Sequence, residues 1–323
     1  MTPELFRELV AQACLSPNVH NIQPTLWRLV DTDTIALVQS PTRSLPVGDP
    51  TRRDAMASHG AALEGMIIAA SDKGIALTPS APQSGEIARL LVSGATAPDP
   101  LFPYLVKRRT YRGKFDKART VEARQALAQL SRPDIRLITD EEQISQIAAL
   151  TDQATLRAFR NRPYRQELTS WMRLTPRNAN WSRDGLNADA MAMPVPVAVA
   201  AGIVMAHPVF EALDTIKLAG PLTAEAATTN SAAGLVAFMQ DKQADPLQTG
   251  RDWHRLWLEL TALGLTASPL TILGDDEEAS AEMARRLNLQ PEQRVVTVMR
   301  AGIVDADKLP APARLPLDEL IIP

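Results

Sequence analysis

The stretch from residue 107 to residue 115 constrains this chain more than any other, because it sets five cationic side chains around the hydroxyl of Thr110 and closes on Phe115. An arginine guanidinium is a planar fork of donors that matches a phosphate group with two hydrogen bonds, and a threonine hydroxyl adds another. Charged runs are also common on solvated surfaces. The arginine stretch (residues 107–115) therefore predicts either a bound phosphate group or an ordinary basic surface.

A second motif lies upstream, at residues 17–24, and is called the amide turn below. It places three side-chain amides and one imidazole, His20, in a segment with turn-forming residues and little helix or strand character. Such side chains can hydrogen-bond the edge of a heteroaromatic ring without adding charge. For His20 two interpretations stay open, a ring contact and a simple cap of the turn.

The two motifs together resemble the signatures of the FMN-dependent nitroreductase family. The residues that match the family's phosphate-binding signature are Arg108, Arg109, Thr110, Arg112 and Phe115. Those that match the signature contacting the flavin ring across a dimer interface are Pro17, Asn21, Gln23 and Pro24. This chain departs from that second signature at Asn18, where the family has serine, and at Thr25, where the family has tryptophan.

The order of the motifs is reversed relative to an ordinary member of that family, since the amide turn precedes the arginine stretch. This order resembles the Acg-like branch, in which two nitroreductase halves are fused and the first is shortened at its front. The resemblance implies halves at residues 1–100 and 101–323, joined as an intrachain pseudo-dimer. It implies one FMN between the halves of a chain that is a monomer or a weak homodimer.

Two further segments enter the predicted site through the resemblance alone. Residues 268–271 correspond to the backbone that faces flavin N5, and Arg314 to a basic tail that returns to the phosphate. The complete set of predicted cofactor-binding residues is Asn18, His20, Asn21, Gln23, Arg108, Arg109, Thr110, Arg112, Ser268, Pro269, Leu270, Thr271 and Arg314.

The resemblance implies an oxidoreductase that passes electrons from NAD(P)H through FMN to an electron-poor small molecule. That chemistry needs no side-chain acid or base, so no catalytic residue is predicted. The alternative is a non-catalytic protein that stores FMN under a lid, for which the polar, poorly periodic residues 173–193 are the candidate. The sequence leaves both open.

Composition and motif searches exclude several other classes. A formal net charge of −3 gives no reason to expect a nucleic-acid partner. The four histidines show no metal-ligand spacing, and Cys14 has no second cysteine to join it in a zinc site or a disulfide. Neither a glycine-rich dinucleotide motif nor a hydrolase nucleophile elbow is present.

The expected location is the cytoplasm. A single cysteine favours a reducing compartment, and the N-terminus has no basic segment followed by an apolar core. The longest apolar run, residues 191–206, contains two prolines and falls short of the roughly twenty residues that cross a bilayer.

Hydrophobic periodicity predicts an α+β chain in which helices surround a small mixed or antiparallel sheet. The helices are expected from Thr2-Pro3, over 54–73, over 121–130, after Asp140 and from Asp252, and the strands over 134–138, 235–239 and 295–299. The proline-rich residues 79–103 are the expected boundary between halves. Gly60 and Gly65 fall inside the second helix, where small residues allow close packing, and Trp253 and Trp257 fall on a buried stripe that predicts core positions.

Overall fold

Two four-stranded antiparallel sheets, each flanked by helices, make up the computed structural model, which describes residues 1–323. The strands are β1 (Thr25–Asp31), β2 (Thr34–Gln39), β3 (Ile75–Ser80), β4 (Ala88–Ala95), β5 (Ile135–Ile138), β6 (Met172–Arg173), β7 (Leu186–Asn187), β8 (Gly234–Asp241), β9 (Thr266–Leu270) and β10 (Gln293–Gly302). The helices are α1 (Pro3–Ala13), α2 (Arg53–Asp72), α3 (Phe102–Leu105), α4 (Thr120–Leu127), α5 (Glu141–Arg160), α6 (Arg162–Ser170), α7 (Val195–Met205), α8 (Val209–Thr215), α9 (Ala219–Thr223), α10 (Ala226–Thr229), α11 (Pro246–Ala262), α12 (Ile272–Asp275), α13 (Glu277–Arg286) and α14 (Leu317–Leu320). The α+β class is confirmed.

The two sheets repeat one topology. The first has the strand order β1-β2-β4-β3 and the second has β5-β8-β10-β9, so in each the first, second, fourth and third strands lie side by side. Every neighbouring pair is antiparallel. A long helix joins the second and third strands in each case, α2 in the first sheet and α11 in the second. Helices α2 and α11 pack against each other between the sheets.

Two glycines let α2 and α11 approach until their backbones touch. A Cβ added at Gly60 would lie 1.9 Å from the carbonyl oxygen of Leu247, and one added at Gly250 would lie 2.0 Å from that of Ala57. Each glycine thus meets the residue three positions before the other glycine. This reciprocal pattern is the one that a two-fold axis creates at an interface between identical subunits.

Polar contacts beyond the glycines follow the same reciprocal pattern. Glu64, one turn after Gly60, accepts from Arg251 Nε at 2.7 Å. His254, one turn after Gly250, hydrogen-bonds through Nδ1 to the Ala61 carbonyl oxygen at 2.7 Å. Burial lowers the pKa of His254 to about 3, so the imidazole is neutral and Nδ1 donates.

The cores sit against the sheets. A cluster of 21 buried residues covers the first sheet and includes two C-terminal residues, Leu315 and Leu320. Two clusters of 15 buried residues cover the second sheet, and Trp257 belongs to one of them. The last residues of the chain therefore pack in the core of the first sheet.

Two sequence predictions need correction. One sheet was predicted, whereas the structure has two four-stranded sheets and the two-stranded pair β6-β7. The helix predicted from Asp252 begins at Pro246, because Asp245 caps it by accepting from the Leu247 N–H. The predicted boundary segment 79–103 contains β4, which pairs with both β2 and β3, and its prolines at 82, 98, 100 and 103 lie outside the paired strand. The position of the boundary between halves remains a prediction. The helices predicted from Thr2-Pro3 and over 54–73 are confirmed within a residue or two.

No single helix is both long and apolar enough to span a bilayer. The bent pair α7 and α8, whose axes differ by 78°, reaches that length and apolarity only together.

Gly60→Ala should destabilise the protein by at least about 3 kcal/mol, because the new methyl group meets backbone that cannot rotate away. Helix propensity alone would predict a gain of about 1 kcal/mol from the same change. Urea unfolding measures the difference. Gly220→Ala is the matched control, since its Cβ would meet only the tip of the Leu156 side chain, at 3.3 Å. A Gly60→Ala protein as stable as wild type would contradict the backbone contact.

Candidate functional site

A cavity of about 290 Å³ opens beside the α2–α11 contact. This is near the lower end of the usual ~300–1,000 Å³ of ligand pockets. Its walls come from the amide turn, the first turns of α2, the arginine stretch, α11, β9 and β10, residues 185–190 and residues 310–314. Ten of the thirteen residues predicted from the sequence line it: Asn18, His20, Asn21, Arg108, Arg109, Thr110, Arg112, Pro269, Thr271 and Arg314.

The arginine stretch is positioned by the edge of the second sheet. Thr110 forms a parallel bridge with Ala267 of β9, and the Tyr111 N–H donates to the Ala267 carbonyl oxygen at 3.2 Å. Phe115 anchors the far end in the core, against Gly302 of β10, where an added Cβ would lie 2.6 Å from its ring. The cationic residues between these anchors are held against the cavity.

Arg108 is the most deeply buried cation of the site, with 5% of its surface exposed. Its Nη2 donates to the Leu15 carbonyl oxygen at 2.9 Å, and its guanidinium lies 4.7 Å from the ring centre of Trp257. Its Nε and Nη1 are buried and have no hydrogen-bond partner. Burial, followed by the charges of Arg314 and Arg109, lowers the pKa of Arg108 to about 9.

None of the four cavity arginines has a carboxylate within 4.0 Å. Arg109 and Arg112 donate to backbone carbonyl oxygens instead. Arg109 donates to those of Val106 and Arg108, whereas Arg112 donates to that of Ala190. A buried charge without a partner is costly, and charge-assisted hydrogen bonds to an anion are the interaction that compensates it. The cationic end of the cavity therefore fits a small anionic group.

Arg314 ties the C-terminal tail to the end of α1. Its guanidinium donates to the carbonyl oxygens of Cys14 and Leu15, and its Nη1 donates to Asn21 Oδ1 at 2.9 Å. Burial lowers the pKa of Arg314. Arg314 lines the cavity, but much of its donor capacity serves the protein itself.

The amide turn is held in a strained backbone. His20, Asn21 and Gln23 have φ angles of 44°, 54° and 53°, in the left-handed region that non-glycine residues rarely occupy. Surrounding contacts must hold such a conformation, since each residue costs about 1–3 kcal/mol. Burial and the charge of Arg112 lower the pKa of His20 to about 4, so its imidazole is neutral.

The amides of the turn hold two other segments in place. Asn21 Nδ2 donates to the carbonyl oxygens of Gly185 at 3.2 Å and Ala313 at 3.1 Å. Gln23 Nε2 donates to the Arg183 carbonyl oxygen at 2.7 Å, and its Oε1 accepts from the Leu315 N–H at 2.9 Å. The sequence predicted ring contacts for both amides. In the structure both amides hydrogen-bond to backbone groups, Asn21 Oδ1 also accepts from Arg314, and Gln23 does not line the cavity.

Ser268 and Leu270 also lie away from the cavity. Successive residues of a strand point to opposite faces, so Pro269 lines the cavity while Ser268 and Leu270 are buried on the other side of β9. A backbone role for these residues remains a prediction.

Several lining residues were not predicted. Among them are Asp54 and Ser58 of α2, Trp253 and Trp257 of α11, Thr297 of β10, and residues 310–313. Gly185, Leu186 and Ala190 also line the cavity and lie inside segment 173–193, the lid candidate of the sequence analysis. The core positions predicted for the tryptophans are confirmed for Trp257, yet both also face the cavity. The one signal in the sequence was Thr297, a polar residue inside the otherwise apolar run 295–299.

Comparisons with known proteins give similarity to solved structures only, since no family model and no curated protein matches the chain. An FMN-dependent nitroreductase from Mycobacterium smegmatis, solved with NADPH, aligns at 13% identity and a TM-score of 0.38, covering 67% of this chain and 94% of its own. A nitroreductase with bound FMN from Bacteroides fragilis aligns at 12% identity and a TM-score of 0.34, covering 68% and 95%. A BluB-like flavoprotein from Clostridium difficile aligns at 12% identity and a TM-score of 0.32, covering 68% and 97%. Because these identities and TM-scores are low, the assignment of the site rests on this chain's own residues.

Arg108→Met should leave the thermal midpoint of the ligand-free protein unchanged or raise it, because a buried unpaired charge is replaced by an apolar side chain of similar length. Inorganic phosphate should raise the midpoint of wild type by a few degrees and leave that of Arg108→Met unmoved. Chloride at equal ionic strength corrects for screening, and Arg136→Met, at an exposed arginine, is the matched control. A phosphate effect that survives in Arg108→Met would contradict an anion site at this residue.

Proposed function

We propose that this chain binds FMN in the cavity and acts as an NAD(P)H-dependent oxidoreductase of the nitroreductase type. The observation that carries the proposal is the buried Arg108 guanidinium, two of whose nitrogens have no partner, beside Arg109 and Arg314 and without a carboxylate. The same cavity is lined by Trp257, whose Nε1 is also buried without a partner. A ligand with a phosphate at one end and a polar aromatic body satisfies both features.

The lining residues fit FMN in their chemistry. Arg108, Arg109 and Thr110 would hold the phosphate, supported by Arg112 and Arg314. Asn18, His20, Pro269 and Thr271 would lie along the ring, with a neutral His20 adding no charge there. Bound FMN supplies hydride and electron transfer that side chains cannot perform. The protein would orient it and exclude water.

A specific observation also supports the second candidate, a non-catalytic FMN store. Residues 181–190, the cover segment, lie beside the cavity and are held by several direct hydrogen bonds. The contacts to its backbone carbonyl oxygens come from Asn21, Gln23, Arg112 and the Arg314 N–H. A cover fixed this firmly would keep a nicotinamide away from the flavin.

The purified protein should be yellow, should release FMN and not FAD on denaturation, and should bleach when NADH or NADPH is added without oxygen. Arg109→Glu should lose at least about tenfold to a hundredfold in FMN affinity, because reversal adds repulsion to the loss of a charge-assisted hydrogen bond. Lys107→Glu is the control, since Lys107 is exposed and does not line the cavity. Bound FMN without bleaching would select the storage candidate. Colourless protein that FMN cannot reconstitute would reject both.

We also propose that residues 1–100 and 101–323 are two fused halves that build one site within one chain. Support comes from the repeated strand order and from the reciprocal contacts of Gly60 and Gly250. The amide turn belongs to the first half and the arginine stretch to the second. The Arg314 contact with Asn21 joins them within the chain.

Mixing two defective proteins tests this arrangement. One carries Asn21→Ala and Gln23→Ala, and the other carries Arg109→Glu. Sites built within one chain should not regain FMN on mixing, because every chain still has a damaged half. The mixture is unfolded and refolded together, and bound FMN is measured by absorbance after gel filtration. Recovery of FMN above the sum of the separate proteins would show that the site is shared between chains.

A further inference from the structure

The cavity has a second, acidic region opposite in charge to the arginine stretch. Asp54, in the first turn of α2, lines the cavity, and no ion pair or hydrogen bond reaches its carboxylate. Its backbone carbonyl oxygen accepts from Ser58 Oγ at 2.7 Å, and Ser58 lines the cavity one turn further along α2. The carboxyl group of Asp54 is therefore free to meet a ligand.

Charged and titratable groups from four neighbouring elements face Asp54. They are Asp49 in the loop before α2, Tyr164 of α6, Asp275 at the end of α12 and Arg294 of β10. Burial, reinforced by Asp49 and opposed by Arg294, raises the pKa of Asp54 to about 6. Burial, followed by the charges of Asp54 and Asp49, also raises the pKa of Asp275. Because of its burial and the neighbouring carboxyl groups, Asp54 is protonated in mildly acidic solution.

Thr297 of β10 supplies an independent indication of a ligand in this region. Only 2% of its surface is exposed, and its Oγ1 is buried without any hydrogen-bond partner. Thr297 lines the same cavity as Asp54. The end of α12 packs directly on this part of β10, since a Cβ added at Gly274 would lie 2.4 Å from the Val296 carbonyl oxygen. A buried hydroxyl without a partner is costly unless a ligand completes it.

We propose that Asp54 and Thr297 form the subsite for the electron acceptor, an uncharged molecule with carbonyl or nitro oxygens, and that Asp54 donates a proton to one of those oxygens. Both side chains then act as hydroxyl donors to oxygen acceptors. An anionic acceptor is disfavoured by Asp49 and Asp275. The subsite deepens the oxidoreductase proposed above and rests on it.

The proton balance for a quinone acceptor is complete. Reduction to the hydroquinone takes up two electrons and two protons and converts both carbonyl groups to hydroxyls. FMN, when bound and reduced, would supply the electron pair and one proton, and the Asp54 carboxyl would supply the second proton to the other oxygen. Asp54 is left as a carboxylate, which is reprotonated from solvent.

The test uses menadione as the probe in two separate measurements on the full chain. In ligand-free protein, menadione binding is followed by quenching of tryptophan fluorescence, since Trp253 and Trp257 line the cavity. Wild type should bind about tenfold or more tightly at pH 5 than at pH 7.5, because the Asp54 carboxyl loses its proton between them. In the FMN-loaded, reduced protein, the rate of reoxidation by menadione should fall with pH over the same range.

Three variants decide the outcome. Asp54→Asn should remove the pH dependence of both measurements and slow reoxidation at pH 5 by about tenfold or more. Thr297→Val should weaken menadione binding by about tenfold at every pH while keeping the pH dependence. Asp33→Asn, an exposed aspartate in the β1–β2 hairpin, should change neither measurement. The pH dependence of menadione binding persisting in Asp54→Asn would overturn the subsite, whereas failure to bind FMN would reject only the proposed function.

Discussion

The backbone contact between α2 and α11 is the constraint on which the rest of the structure depends. Gly60 and Gly250 allow the helices to meet without side chains between them, and that closeness brings the two sheets together. The cavity lies along the same pair, with Asp54, Ala57 and Ser58 on one helix and two tryptophans on the other. A change in the helix spacing would move both walls of the site. The close packing at the two glycines therefore also sets the geometry of the ligand site.

The second organising feature is the cost of burying positive charge. The guanidinium of Arg314 donates hydrogen bonds to the end of α1 and to Asn21, and these bonds hold the C-terminal tail beside the amide turn. Arg108 is different, since two of its nitrogens have no hydrogen-bond partner and its charge has no carboxylate partner. Natural proteins keep such a group where a ligand provides the missing interaction, because an apolar residue would otherwise be at least as stable there.

Much of the site could be predicted from residue types at close spacing. The arginine stretch and most of the amide turn line one cavity although about ninety residues separate them. The sequence did not show that Pro269 and Thr271 would line the cavity while Ser268 and Leu270 would not. Which of them line it depends on which face of β9 is turned towards the cavity in the fold. The backbone role of Asn21 and Gln23 was also hidden, since their partners lie far away in sequence.

The fold was predictable at the level of class and of several helices, since capping residues and apolar spacing are local signals. The second sheet and the early start of α11 were not, because they depend on long-range pairing and on Asp245 as a cap. In the sequence, Asp54 stood out only as the first residue of the helix predicted over 54–73. Its lack of an ion pair, and the carboxyl groups of Asp49 and Asp275 that act on it, become visible only in the folded structure.

The central claim is that the buried charge of Arg108 is completed by the phosphate of a flavin. The most direct measurement compares the affinities of ligand-free protein for FMN and riboflavin by fluorescence titration at fixed ionic strength. Wild type should bind FMN at least about tenfold to a hundredfold more tightly than riboflavin, and Arg108→Met should lose most of that difference. Equal affinities of wild type for the two flavins would contradict the claim.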